Sequence, residues 1–163
     1  MSATCLIVFS SMTGNTKEIA EEIGKGMVEA GAAVEIKDIL LADVADCFAY
    51  DGILLGAHTW GDGELPDEFL DFYEEMDGIR LDGKAAAAFG SCDSSYDQRG
   101  RAVDLLEAKL AERGAKIIAK GLKIELAPTK AEKQQCIQFG KEFVKKLIEK
   151  AGKQNDENSI TCK

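Results

Sequence analysis

Short apolar runs recur along this chain: CLIVF over Cys5 to Phe9, VEI over Val34 to Ile36, GILLGA over Gly52 to Ala57, KAAAAFG over Lys84 to Gly90, and KIIA with GLKIEL between Lys116 and Leu126. Runs this short and this continuous read as strands buried on both faces. Helical patterns separate them. Ile19, Ile23 and Met27 fall four residues apart, Pro66 opens PDEFLDFYEEM, Ala102, Leu106 and Leu110 precede the stop at Arg113-Gly114, and Cys136, Phe139, Phe143 and Leu147 form a last stripe. Strands alternating with helices imply right-handed crossovers, hence an α/β protein with a five-stranded parallel sheet and helices on both faces. Ligands of such sheets sit beyond the carboxyl ends of the strands, so the residues just after strands one, three and four become the candidates for chemistry. From Gly152 the chain turns polar and loses its periodicity, which predicts a frayed tail over 152–163 behind a single domain over 1–151.

Composition narrows the function. At 163 residues the chain is long enough for one real core, and 29 acidic against 20 basic side chains give a net charge of −9. That charge repels nucleic acid and anionic lipid and favours partners with basic faces. The amino terminus lacks a basic region and no run spans a bilayer, so the expected location is the cytoplasm, with no membrane partner. Cys5, Cys47, Cys92, Cys136 and Cys162 are odd in number and form no CxxC pair, which argues against a disulfide framework, a zinc site or an iron–sulfur cluster. His58 is the only histidine. No metal site is expected.

The loop after strand one, SSMTGNT over Ser10 to Thr16, feeds directly into a helix and contains no cation. Backbone N–H groups at a helix N-terminus, with hydroxyls beside them, hold phosphate without lysine or arginine. Cleaving or transferring phosphate needs a lysine on the outer phosphates and a hydroxyl on magnesium, so the phosphate here is a handle and not a reactant. Such clusters also make ordinary turns. The loop after strand three carries Trp60, the sole tryptophan, and the loop after strand four carries Tyr96. Loop aromatics often pack turns, but two of them near a phosphate loop suit a flat ring held between aromatic faces, and phosphate plus planar ring describes a mononucleotide.

On these residues the chain resembles the flavodoxins. SSMTGNT matches the family's phosphate loop, TWGDG over Thr59 to Gly63 its first flavin-ring loop, and DSSY over Asp93 to Tyr96 its second. The likeness runs from about Thr4 to Lys150. GLKIELAP follows strand five without an extra loop, which resembles the short-chain type and the flavodoxins of Bacillus and relatives. The resemblance implies a three-layer α/β/α sandwich of strand order 2-1-3-4-5 and one bound FMN at the switch point between strands one and three. It implies that Ser11, Met12, Thr13, Gly14, Asn15 and Thr16, with Ser10, hold the phosphate. Trp60 would cover the inner ring face and Tyr96 the outer. Backbone near Cys92, Asp93 and Gly100 would bind the pyrimidine edge, and His58, Thr59, Gly61, Ser91, Gln98 and Arg99 would line the site. Met12 replaces a hydroxyl residue, His58 a smaller one, and Gly100 stands where a cysteine is sometimes found.

The implied function is that of a low-potential one-electron carrier, not an enzyme, passing through quinone, semiquinone and hydroquinone states. Ferredoxin/flavodoxin reductases would donate electrons and haem monooxygenases, desaturases or similar enzymes would accept them, with the carrier a monomer. Gly61 allows a peptide to turn its carbonyl toward the flavin N5 once that atom is protonated. Alanine or valine at 61 is expected to lower the semiquinone fraction in a redox titration, and an unchanged fraction would remove the flip from this account. Between Trp60 and Gly78 stand eight acids, Asp62, Glu64, Asp67, Glu68, Asp71, Glu74, Glu75 and Asp77, and no lysine or arginine. Such a run usually marks a solvated helix face. Beside a ring that becomes anionic, each carboxylate at about 10 Å adds roughly 0.4 to 1.7 kcal/mol of repulsion. The alternative is a small FMN-dependent NAD(P)H oxidoreductase, which needs a substrate pocket against a ring face that Trp60 and Tyr96 would occupy. A phosphoacceptor receiver domain expects acids after strand one and an aspartate after strand three, where this chain has Phe9-Ser10 and Ala57-His58.

Overall fold

The computed structural model describes residues 3–59, 63–93 and 100–161. The chain runs β1 (Thr4–Ser10), α1 (Asn15–Glu29), β2 (Ala33–Asp38), β3 (Gly52–Ala57), α2 (Asp67–Glu75), β4 (Ala85–Cys92), α3 (Arg101–Glu112), β5 (Lys116–Ile117), β6 (Leu122–Glu125) and α4 (Lys130–Thr161). All strand pairings are parallel, in the order β2-β1-β3-β4-β5, with β6 also on β4. This is the predicted 2-1-3-4-5 order.

β1, β3 and β4 read as unbroken apolar runs because both of their faces are covered. Their alternate residues divide the core in two. Leu6, Val8, Ile53, Leu55, Ala86 and Ala88 face Phe69, Phe72, Leu106 and Leu110 of α2 and α3. Cys5, Ile7, Phe9, Leu54, Ala87 and Phe89 face Ile19, Ile23, Met27, Phe143 and Leu147 of α1 and α4. Burial pushes the thiols of Cys5 and Cys136 up to about 12 and that of Cys47 up to about 11, so these three serve as small apolar fillers.

On the second face, α1 and α4 cross with almost no side chain between them. A Cβ at Gly26 would fall on the carbonyl oxygen of Ile137, and one at Gly140 on that of Ile23. The two glycines therefore sit where the helices touch through their backbones.

The fifth strand departs from the sequence reading, which takes KIIA with GLKIEL as one strand. It is two short pieces on the same edge of β4, β5 opposite Ala85 and Ala86 and β6 opposite Phe89 to Cys92. The segment between them carries two residues more than the strand it faces, so the ladder breaks there. The Gly121 N–H leaves the ladder and donates to the Glu107 carboxylate of α3 at 3.1 Å. At the other end of the chain, α4 runs on past Gly152 to Thr161, across the segment for which the sequence predicts fraying. That segment contains neither proline nor, after Gly152, glycine to stop a helix.

Candidate functional site

Ser10 of β1 lies opposite Ala57 of β3 in the ladder, so the loops that follow these strands start side by side. In the first loop, Gly14 adopts φ +91°, a left-handed conformation suited to glycine, and turns the chain into α1. Its N–H donates to the Ser11 hydroxyl at 3.0 Å. Among the described residues no side chain caps α1, which leaves its first N–H groups open to another acceptor. Thr16, in that turn, is 1% exposed, and its hydroxyl has no hydrogen-bond partner among the described residues. Buried hydroxyls are ordinarily satisfied, so one left open beside an uncapped helix end points to an absent acceptor. Met12 is 62% exposed, and Thr13 and Gly14 are also at the surface.

Ser10 itself is fully buried, and its hydroxyl donates to the Glu68 carboxylate of α2. The sequence places Ser10 among the expected phosphate donors and Glu68 only in the acidic run. Nothing in a separation of 58 residues signals their contact. Ser11, Met12, Pro66, Asp67 and Glu68 together line a cleft of about 430 Å³.

After β3, His58 is half-buried, and burial draws its imidazole below the ordinary histidine value, while the Glu68 charge and a hydrogen bond with the Ser10 backbone act the other way. Thr59 turns from the first loop toward the third. Its hydroxyl accepts the Ala102 N–H at 3.2 Å and so satisfies one donor in the first turn of α3. That role for Thr59 is a helix contact that the resemblance does not specify.

At the end of β4 the side chains of Ser91 and Cys92 turn toward β6 and away from the loop. The Ser91 hydroxyl donates to the Leu126 carbonyl at 3.1 Å and the Cys92 thiol to the Ile124 carbonyl at 3.5 Å. The Leu126 N–H returns to the Cys92 carbonyl at 2.8 Å, with Leu126 held at φ +54°. These two positions thus offer the site backbone only. Asp93 is half-buried, and Gly100, at φ +69°, opens α3 as Gly14 opens α1. Trp60, Gly61, Asp62, Tyr96, Gln98 and Arg99 lie outside the described residues. Among the described residues, no three His, Cys, Asp or Glu side chains group as a metal site, and no helix is long and apolar enough to cross a membrane.

The strand order, the reversal between β1 and β3 and the loops gathered there define a doubly wound α/β protein with its binding loops at the switch point. The flavodoxin family model matches residues 7–140, and the chain belongs to the flavodoxin family. It is 46% identical to probable flavodoxin 2 of Bacillus subtilis (strain 168), over 88% of this chain and 96% of that protein. It is 42% identical to the flavodoxin of Nitratidesulfovibrio vulgaris, over 77% of this chain and 87% of that one. The crystal structure of oxidised flavodoxin 1 from Bacillus cereus superposes with a TM-score of 0.85 at 51% identity, covering 88% of this chain and 98% of that one. The chain is accordingly an FMN-binding electron carrier and not an enzyme, which favours the carrier over the NAD(P)H oxidoreductase.

Proposed function

We propose that the loop Ser11 to Thr16 holds the FMN phosphate, with Trp60 and Tyr96 on the two faces of the ring and the backbone near Cys92, Asp93 and Gly100 at its pyrimidine edge. The observation that carries this reading is the Thr16 hydroxyl, buried without a partner in the uncapped first turn of α1. An anion is the natural occupant, because it accepts from the hydroxyl and the open N–H groups together and is favoured by the helix dipole. When bound, FMN supplies the one-electron chemistry. The chain's own residues bind and orient it, keep water from its ring, and place acids near it. The absence of a cation from the loop keeps the phosphate a passive anchor.

The working domain is 1–151, with 152–163 outside it; among the described residues the last core side chain of α4 is Leu147, and Ile148 is already half exposed. As donor we propose a ferredoxin/flavodoxin reductase and as acceptors other redox enzymes, docking on the acidic face that α2 presents, with the carrier a monomer in the cytoplasm. Acids at the start of α2, Asp67 and Glu68, stand beside the cleft and would steer basic partner faces over distances set by salt. The test mixes purified holoprotein with NADPH. The yellow absorbance should persist until a basic reductase is added and then bleach at a rate that falls as salt rises. Bleaching by NADPH alone contradicts the carrier reading, and a salt-independent rate contradicts the acidic docking face.

A further inference from the structure

β3 and β4 are neighbours in the sheet, so the loops that follow them set out side by side, one carrying Trp60 and the other Tyr96. The register between the two strands ends at Gly56 opposite Phe89. Past it, the first loop is joined to the helix that follows the second through the Thr59 hydroxyl, which accepts the Ala102 N–H at 3.2 Å across 43 residues of chain. α3 itself is anchored from the other side. The stem of Lys123 on β6 lies against Gly100, where an added Cβ would strike it, and its ammonium pairs with Asp104 at 3.0 Å. One turn on, Glu107 takes the Gly121 N–H at 3.1 Å. The first two turns of α3 are thus fixed to the sheet edge, and the bond to Thr59 holds the loop to the helix.

A helix start is ordinarily capped by the side chain of the residue that begins it. α3 begins with Gly100, which has none, and the acceptor comes from the loop of another strand instead. A cap supplied in that way does no more for the helix than a local one, but it also fixes the distance between two loops. We propose that Thr59 is a positioning residue for the flavin ring: its hydroxyl pins the root of the loop carrying Trp60 to the helix that follows the loop carrying Tyr96, so that the gap between the loops is set before the ring arrives. The hydroxyl is committed to α3 and acts on the ring through the loop it holds. A gap set in advance spares the ring the entropy of ordering two loops, so the ring binds more tightly. This rests on the reading that the ring lies between those two loops.

The test titrates the full chain, stripped of FMN, with riboflavin and with FMN. Thr59→Val removes the hydroxyl and keeps the shape, Thr59→Ser keeps the hydroxyl, and Thr59→Ala carries the same test should the valine variant not fold. Thr129→Val is the control, because it removes a cap of α4, where the Glu132 N–H donates to the Thr129 hydroxyl at 3.2 Å. Both valine variants should unfold earlier than the unaltered protein. Losing the hydroxyl at 59 is expected to weaken riboflavin and FMN alike, about 3- to 10-fold, while Thr59→Ser and Thr129→Val stay within about twofold of the unaltered protein. Riboflavin affinity that falls no further in Thr59→Val than in Thr129→Val overturns the proposal, because the hydroxyl is then a cap and nothing more. A loss in Thr59→Ser as large as in Thr59→Val overturns it too, since the methyl group and not the hydroxyl would then matter. Trp60→Ala separates the two levels. If it leaves riboflavin affinity unchanged, the ring does not lie at this loop, whereas a loss of about 10-fold or more with no response at Thr59 faults the role of Thr59 alone.

Discussion

Replacing Gly26 with alanine is expected to lower the unfolding midpoint by roughly 4 to 8 °C, although alanine is the better helix former. Propensity alone would favour the substitution by about 1 kcal/mol. The crossing of α1 and α4 decides the sign. The new methyl group would land on the Ile137 carbonyl oxygen, which is backbone of a packed helix and cannot swing aside as a side-chain tip can. Overpacking of a tight contact costs about 1 to 3 kcal/mol and occasionally more, and a clash with backbone stands at the upper end of that range, so after the propensity gain the net loss is about 2 kcal/mol. Gly78 supplies the control, since a Cβ there meets nothing within 4 Å and its φ is not positive. Thermal unfolding of both variants checks the claim, and a Gly26→Ala protein as stable as Gly78→Ala would mean that the helices do not touch through their backbones.

Thr16→Val should move stability and cofactor affinity in opposite directions. In the FMN-free protein a buried hydroxyl with no partner is a cost, so a valine of nearly the same shape is expected to leave stability unchanged or raise it by about 1 kcal/mol. Toward FMN the same change deletes a donor to a charged acceptor, worth about 1.5 to 3 kcal/mol, or about 10- to 100-fold in affinity. Riboflavin binding should not respond. Denaturant unfolding of the stripped protein and a flavin titration measure the two effects. A variant that loses stability while keeping its FMN affinity would show that the hydroxyl serves the fold and not the phosphate.

The order of elements is legible in the sequence because the three central strands are covered on both faces and their apolar runs are continuous. The edge is harder to read. Lys116, Lys120 and Lys123 interrupt the last strand region, and the two extra residues between β5 and β6 leave no hydrophobic signature. The α1–α4 contact is invisible for a different reason. Gly26 and Gly140 read as penalties in a helix until the partner backbone is known. Lys109 is similar: it stands in a helical pattern like any surface lysine, but it is 7% exposed, paired with Asp77 at 2.6 Å and lying 4.4 Å from the Tyr73 ring centre. At the site, the loop from Ser10 to Thr16 announces itself by residue type and by its place between strand and helix. What that pattern does not carry is the commitment of each hydroxyl. Ser10 is given to Glu68, Thr59 to α3 and Ser91 to the Leu126 carbonyl, and the buried Thr16 hydroxyl has no partner among the described residues, because such choices depend on neighbours far away in sequence.

The unequal treatment of the two helix ends has a measurable consequence. α3 receives a hydroxyl from Thr59, while among the described residues no side chain caps α1. If the phosphate completes that helix, as proposed, FMN stabilises the fold by mass action, by about 2.7 kcal/mol when free ligand stands at 100 times its dissociation constant. The expected outcome is a protein that resists limited proteolysis better with FMN bound than stripped of it, which digestion of the two forms side by side measures.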